Sequence, residues 1–492
     1  MRDYDFGNFL RELRMRQNLS QFQLGSLVGV TEKAVSKWEN GTSKPRTAIL
    51  YKLSEIMGVT ADELLAARYR YREEEKEVSA MRTEFRDELF GKLTEKYGWP
   101  TDMRVHNRYL SEIHYMNAND EWKKLILLLR RLRTRADEKG EHIRINGALS
   151  GSSFLLYIMG VTEIDPLPPN YFCPDCKKIE FSRDVRCGWD LVPKKCSCGC
   201  EFERGGLDIP ISGAAEHYMS NPHIDIKVSV SFYGTAREII ESELSDEKTA
   251  VLVRDSGRIA ARYVILPDDS PDSGKTMSYD ENHKKFTSYT GIMIHCITEL
   301  DRYRLLEEAT NTSFSRIPFA SAELFERFLC GDHDGISEFR ASFYSDITQV
   351  AKPKNIFEMI QLTGLSHGTG VWTDNAEKLL REGKTLSEVI VYQEDVFEYI
   401  RNRMADAEMY EIGWAQTFTK EVRQGKYVDG LWKTHGRQLT AIGVEPWFIE
   451  SVQKIRYLFP RGFGALYVKH ALTLMWYKLN YPDEFRKVML DR

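Results

Sequence analysis

Between Cys173 and Cys200 the chain reads CPDCKKIEFSRDVRCGWDLVPKKCSCGC, and this spacing constrains the fold more tightly than any other stretch of its 492 residues. Cys173 and Cys176 form a C-x2-C knuckle. A second pair drawn from Cys196, Cys198 and Cys200 follows about twenty residues later, the ligand pattern of a tetrahedral thiolate ribbon closed around zinc. Cys187 stands outside both pairs. Five of the eight cysteines fall within Cys173 to Cys198, and such short spacings suit metal chelation in a reducing compartment better than a disulfide framework. A zinc held in this way stabilises a small loop-rich insert and implies no catalysis.

The rest of the composition is that of a globular chain, 42% hydrophobic and 29% charged, long enough for roughly two to four domains. No apolar run approaches the roughly 18 to 20 residues of a membrane span, and the charged start MRDYDFGNFLREL lacks the apolar core of a signal peptide. The expected location is the cytoplasm, with no membrane partner. A formal net charge of -5 excludes a uniformly basic nucleic-acid binder and leaves room for a local basic face.

Residues 4–65 place apolar side chains at helical spacing (Phe6, Leu10, Leu13; Leu24, Leu27; Leu50, Leu53, Ile56), broken at Asn18, Gly29 and Gly41. Within them, LSQFQLGSLVGVTEKAVSKWENGTSKPR, from Leu19 to Arg46, resembles the helix-turn-helix of phage-repressor-like, XRE-type regulators. Gly29 permits the tight turn between two helices, Ala34 and Val35 pack the second helix down, and Trp38 anchors its far end. In that family the second helix enters the major groove of double-stranded DNA. The resemblance therefore implies base-reading positions at Thr31, Glu32, Lys33, Ser36 and Lys37. It implies a DNA-backbone contact from Gln21 and phosphate contacts at Thr42 and Lys44. Lys33 or Lys37 suits guanine O6/N7, and Glu32 suits cytosine N4. A homodimer on paired half-sites is a further expectation. The charged stretch AARYRYREEEKEVSAMRTEFRDELFG, residues 66–91, reads as an exposed helical linker.

From about Glu95 onward the chain resembles the PolC-type DNA polymerase III alpha subunit. The block GEHIRINGALSGSSFLLYIMGVTEIDPLPPNYFCP carries the resemblance most strongly. It implies a triphosphate-cradling loop at Gly147 to Ser153, although Asn146 stands where the family has arginine. Pro222-His223-Ile224-Asp225 aligns with a motif holding two catalytic aspartates, so His223 replaces the first and Asp225 is the second. The strand GIMIHCITELD aligns with the one bearing the last aspartate and puts Cys296 at that position, with Asp301 nearby. The family's Gln-His-Pro-Gly-Gly becomes Arg258-Ile259-Ala260-Ala261-Arg262. Nucleotidyl transfer of this kind needs two magnesium ions about 4 Å apart between carboxylates, and a histidine and a thiol are poor ligands for so hard a cation. No catalytic residues and no magnesium are expected.

Motifs at Gly364 to Thr369, Thr385 to Ile390 and Lys454 to Val468 resemble the fingers, where Arg461 and Phe463 stand at positions that face nucleotide in the family. His367 reads as a structural histidine. In the zinc module, a gapless match of CGCEFERGGLDIP favours Cys173, Cys176, Cys196 and Cys198, with Cys200 able to replace one of the last two.

The expected fold class is α+β: an all-α helix-turn-helix domain at 1–65, a helical linker at 66–94, and a mixed palm-like sheet at 95–170 and 211–310. A zinc-ribbon insert at 171–210 and helical fingers at 311–492 complete it. The expected function is that of a sequence-specific DNA-binding protein, a transcriptional regulator, with a catalytically inactive polymerase body. The alternatives are a non-enzymatic polymerase mimic binding primer-template, single-stranded DNA or replisome proteins, and an active polymerase.

Overall fold

The computed structural model describes residues 4–17, 19–57, 64, 83–117, 120–146, 149–211, 222–255, 259–286, 288–336, 339, 342–407, 412–426 and 430–491. Four helices come first: α1 (Tyr4–Arg16), α2 (Gln21–Val28), α3 (Glu32–Glu39) and α4 (Thr47–Met57). Ser20 starts α2 through a reciprocal cap, its hydroxyl accepting from Gln23 N at 3.0 Å while the Gln23 side chain accepts from Ser20 N at 2.8 Å. Gly29, at φ 79°, closes the helix in the left-handed region that glycine enters without penalty. Thr31 then caps α3 by accepting from Ala34 N. Helix α1 crosses α3 so closely that a Cβ on Gly7 would lie 2.3 Å from the Glu39 carbonyl oxygen. Phe6, Leu10, Leu13, Leu24, Val35, Trp38, Leu50 and Leu53 fill the core between the helices. Leu27 departs from expectation. The buried stripe of α2 runs through Leu24 and Val28, which leaves Leu27 on the outer side, 56% exposed.

Residues 66–82, most of the expected linker, lie outside the described residues. The rest of it is not a linker in the structure. Helix α5 (Thr83–Tyr97) buries Leu89, Leu93 and Tyr97 in the same core as the palm strands. The dense charges around these residues hide their i, i+4, i+8 spacing in the sequence. Helices α6 (Met103–Asn117) and α7 (Asp120–Glu138) pack beside it.

Strand β1 (Ile143–Asn146) leads to two short helices, α8 (Leu149–Ser152) and α9 (Phe154–Ile158). The cysteine-rich insert follows as a three-stranded sheet of β2 (Asn170–Phe172), β3 (Ile179–Phe181) and β4 (Glu203–Gly205), ordered β3-β2-β4. The palm sheet is completed by β5 (His223–Val228), β6 (Thr249–Asp255), β7 (Ile259–Ile265), β8 (Thr276–Ser278) and β9 (Gly291–Cys296). Its order is β1-β5-β9-β7-β6-β8, with β5 parallel to β9 and β9 antiparallel to β7. Helix α10 (Val230–Glu243) follows β5 and helix α11 (Thr298–Thr310) follows β9. Side chains alternate along each strand. Ile224, Ile226, Val228, Ile292 and Ile294 are buried against the helices, and the other face presents His223, Asp225, Lys227, Met293 and His295.

The remaining helices, which the sequence resemblance assigns to fingers, are built around α12 (Ile356–His367), α13 (Gln393–Asp406) and α14 (Arg461–Asn480). Cys187, Trp189, Leu207 and Ile209 of the insert are buried in this same core. At Gly151 in α8 the sheet side meets α14 backbone to backbone, for a Cβ on Gly151 would lie 2.3 Å from Gly462 Cα. The whole is the mixed α+β architecture that the sequence implied. Among the described residues no helix is long and apolar enough to cross a membrane.

Candidate DNA-reading helix, thiolate cluster and palm face

In the first helices, Thr31, Glu32, Lys33 and Lys37 are exposed on one side of α3, while Val35 and Trp38 are buried on the other. Ser36 is half-buried, and Thr42 and Lys44 are exposed just beyond the helix. Gln21 stands half-buried at the start of α2, and its amide donates to Glu39 at 2.7 Å. Glu39 is itself buried and held by Arg14 at 2.6 Å, so the three side chains tie α1, α2 and α3 together. This Arg14–Glu39–Gln21 link escaped the sequence reading because nothing in local spacing relates residues 25 apart.

The thiol groups of Cys173, Cys176, Cys196 and Cys198 lie within 4.8 Å of one another. Cys173 and Cys198 Sγ are 3.5 Å apart, as are Cys176 and Cys196 Sγ. Four sulfurs bound to zinc at 2.3 Å would stand about 3.8 Å apart, so the cluster fits a metal such as zinc. The thiols share protons: the Cys198 amide and the neighbouring thiols bring Cys196 down to about 6, while Cys198 itself is pushed up to about 12. Cys200 turns away, its Sγ directed to the Glu201 carbonyl at 3.4 Å.

On the palm sheet the register sets the face turned away from the helices in rows across the strands. Arg144 stands opposite Lys227, Lys227 opposite His295, and His295 opposite Ala260. In the next row Asn146, Asp225, Met293 and Arg262 follow one another, and His223 is paired with Gly291 beyond them. Cys296 does not belong to this face. It follows the buried alternation of Ile292 and Ile294, whereas His295 turns outward and brings Nε2 to 3.1 Å from Asp225 Oδ1. The sequence reading missed His295. Its outward direction was legible in the alternation of Ile292 and Ile294, had that been given precedence over the alignment. Asp301 is occupied elsewhere, accepting from Val230 N at 2.8 Å and from Ser231 N at 3.2 Å as a cap on α10.

Gly147 and Ala148 of the expected triphosphate loop lie outside the described residues. Its far end is already satisfied from within the protein. Glu112, fully buried on α6, accepts from Phe154 N at 2.6 Å, Leu155 N at 3.0 Å and Ser153 Oγ at 3.1 Å, and Arg108 pairs with it at 3.1 Å. A carboxylate therefore sits at the amino end of α9, where backbone amides favour an anion. In the fingers, Arg461 is 1% exposed and bonds Asp395 at 2.8 Å and Glu398 at 2.9 Å, pointing into the core. Phe463 packs edge-on against Tyr467 and stacks on Phe459. His367 stacks on Tyr467 at 5.4 Å, with Nδ1 2.9 Å from the Thr363 carbonyl.

Two domain classes emerge from these features, and comparison with known proteins identifies both. Residues 10–64 match the helix-turn-helix family, and residues 293–437 match the finger domain of the bacterial DNA polymerase III alpha subunit. The chain thus joins a helix-turn-helix DNA-binding domain to a body similar to PolC-type DNA polymerase III. It is 25% identical over 476 residues to the DNA polymerase III PolC-type of Caldanaerobacter subterraneus subsp. tengcongensis, covering 80% of this chain and 33% of that one. Against the protein of the same description from Clostridium perfringens it is 25% identical over 484 residues, or 82% and 32%. Against that from Thermotoga petrophila it is 26% identical over 483 residues, or 81% and 34%. The chain spans about a third of the length of these curated relatives.

Proposed function

We propose that this protein is a sequence-specific DNA-binding transcriptional regulator whose polymerase-like body does not catalyse nucleotidyl transfer. The observation that carries this reading is the contrast between its two ends. The outer side of α3 keeps exposed Glu32, Lys33 and Lys37, while the palm face has His295 against Asp225 in place of a set of carboxylates. One carboxylate cannot hold two magnesium ions. Thr31, Glu32, Lys33, Ser36 and Lys37 read bases, Thr42 and Lys44 contact phosphates, and the protein binds as a dimer on paired half-sites in the cytoplasm. Gln21, engaged with Glu39, supports the helix pair from inside. The four clustered cysteines hold a structural zinc.

The test is selection of bound fragments from total genomic DNA with the full-length protein and with a Lys33→Ala, Lys37→Ala double variant. A discrete motif enriched by the first and lost by the second is the expected result. Equal, motif-free recovery by both would overturn it.

A second reading has its own support in the large fingers core, which retains the polymerase scaffold. Here the body mimics the polymerase and engages primer-template, single-stranded DNA or replisome proteins. It gives motif-free binding that survives the α3 variant.

A further inference from the structure

Arg262 is a buried cation without a counter-ion. It is 2% exposed, and no carboxylate pairs with it among the described residues. Its Nη2 donates to the Phe286 carbonyl at 2.8 Å, and its buried Nε has no partner. Burial lowers its pKa from the ordinary arginine value, with Tyr279 opposing. A guanidinium in this position is costly unless an anion completes it.

The surroundings favour such an anion. Arg262 shares its row of the palm face with Asp225 and Met293, but the side chain leans toward the next row. A Cβ on Gly291 would lie 2.9 Å from Arg262 Nε, so the absence of a side chain there is what admits the guanidinium. Gly291 is the register partner of exposed His223. Partial desolvation of its ring, then the nearby Arg262 charge, lowers the His223 pKa against the opposing pull of Asp225, and a neutral imidazole can donate one hydrogen bond. Arg144, Lys227 and His295 line the adjacent row. Among the described residues Asp225 is the carboxylate on these rows, and it lies against His295.

We infer that the palm face is a metal-independent oxyanion site, in which the Arg262 guanidinium and the His223 imidazole together take a phosphate-class group. A planar guanidinium fork matches phosphate oxygens. Asp225 on this face works against a bare anion, and the Arg262 charge has to outweigh it. This inference stands whether or not the DNA-reading proposal holds, because it concerns another domain and another ligand.

The phosphate belongs either to a free ion or to a nucleotide or oligonucleotide. Full-length protein is therefore titrated calorimetrically, with excess chelator present, against inorganic phosphate, a nucleoside triphosphate and a short single-stranded oligonucleotide. Saturable binding by at least one probe is expected, and the tightest probe names the source. Arg262→Gln and His223→Gln should each weaken that binding by roughly tenfold or more. Arg262→Met, which removes an unpaired buried charge, should abolish that binding without lowering the melting temperature in phosphate-free buffer. No saturable binding by any probe would overturn the inference. So would binding that survives in both His223→Gln and a folded Arg262 variant.

Discussion

Asp225 Oδ1 lies 3.1 Å from His295 Nε2 across the parallel strands β5 and β9, so the acid of the palm face is in contact with an imidazole. Among the described residues the same rows carry no further carboxylate, and the pair alone cannot clamp two hard cations about 4 Å apart. Primer extension by the protein with magnesium or manganese should be indistinguishable from that of Asp225→Asn. Extension clearly above the variant would show that a metal-binding set is assembled from other acids.

Arg461 is the electrostatic pin of the fingers. It bonds Asp395 and Glu398 through its guanidinium and Glu394 through its backbone amide at 2.9 Å, and Glu398 also receives Arg186 of the insert at 2.8 Å. Replacing one partner of a buried ion cluster leaves the others uncompensated, at a cost of about 3–5 kcal/mol. Arg461→Met should lower the urea midpoint accordingly, and Arg461→Lys should recover part of it. An unchanged midpoint would mean that the cluster is solvated in solution.

The sequence carried the parts of this protein whose signals are local. The capping box at Ser20, the glycine turn at Gly29 and the knuckle at Cys173 and Cys176 all lie within a few residues of the structure they specify. What it did not carry depends on register. Cys296 and His295 are neighbours in the chain, and the pleat sends one inward and the other outward, so a one-residue alignment error exchanges a thiol for an imidazole. Likewise Arg461 looked like a nucleotide-facing residue until α13, some sixty residues earlier in the chain, was seen to supply its carboxylates. Glu112 gave no sign that it caps α9, because the amides it meets are 42 and 43 residues away.

The thiolate cluster discriminates among its cysteines. Metal analysis of the purified protein should find about one zinc per chain, the load of a four-thiolate site. Cys198→Ser should lose it, and Cys200→Ser and Cys187→Ser should keep it. Retention in Cys198→Ser with loss in Cys200→Ser would exchange their roles. Chelation of the zinc should loosen the insert, read as faster proteolysis within residues 173–200, because metal binding supplies the folding energy of such ribbons.

A pH effect follows from the contact between palm and fingers at Glu163. Its carboxylate receives Lys469 at 2.6 Å and lies 3.4 Å from His470. Burial alone raises its pKa, but Lys469 and His470 outweigh this and hold it well below the usual carboxylate range. A depressed folded pKa contributes stability above the unfolded value, near about 4.3, and that contribution is lost as pH falls through the folded pKa. Melting temperatures measured from pH 7 to pH 3 should therefore fall more steeply below about pH 4.5 for the wild type than for Glu163→Gln. Parallel curves would place the acid-sensitive contact elsewhere.

Salt dependence separates the two kinds of cation at the DNA-reading end. Lys33, in the first turn of α3, is positioned for a base edge, whereas Lys44 lies past the helix in the segment before α4, where a phosphate contact is expected. Neutralising a phosphate contact lowers affinity alike for every sequence and reduces the slope of log affinity against log salt by about one. Losing a base contact relaxes discrimination at one position by about 1–3 kcal/mol. Lys44→Ala should show the first behaviour and Lys33→Ala the second, in titrations of the selected site and point-substituted sites at several salt concentrations. If both variants change only the slope, α3 follows the backbone without reading bases, and the selectivity proposed for it would have to come from DNA shape.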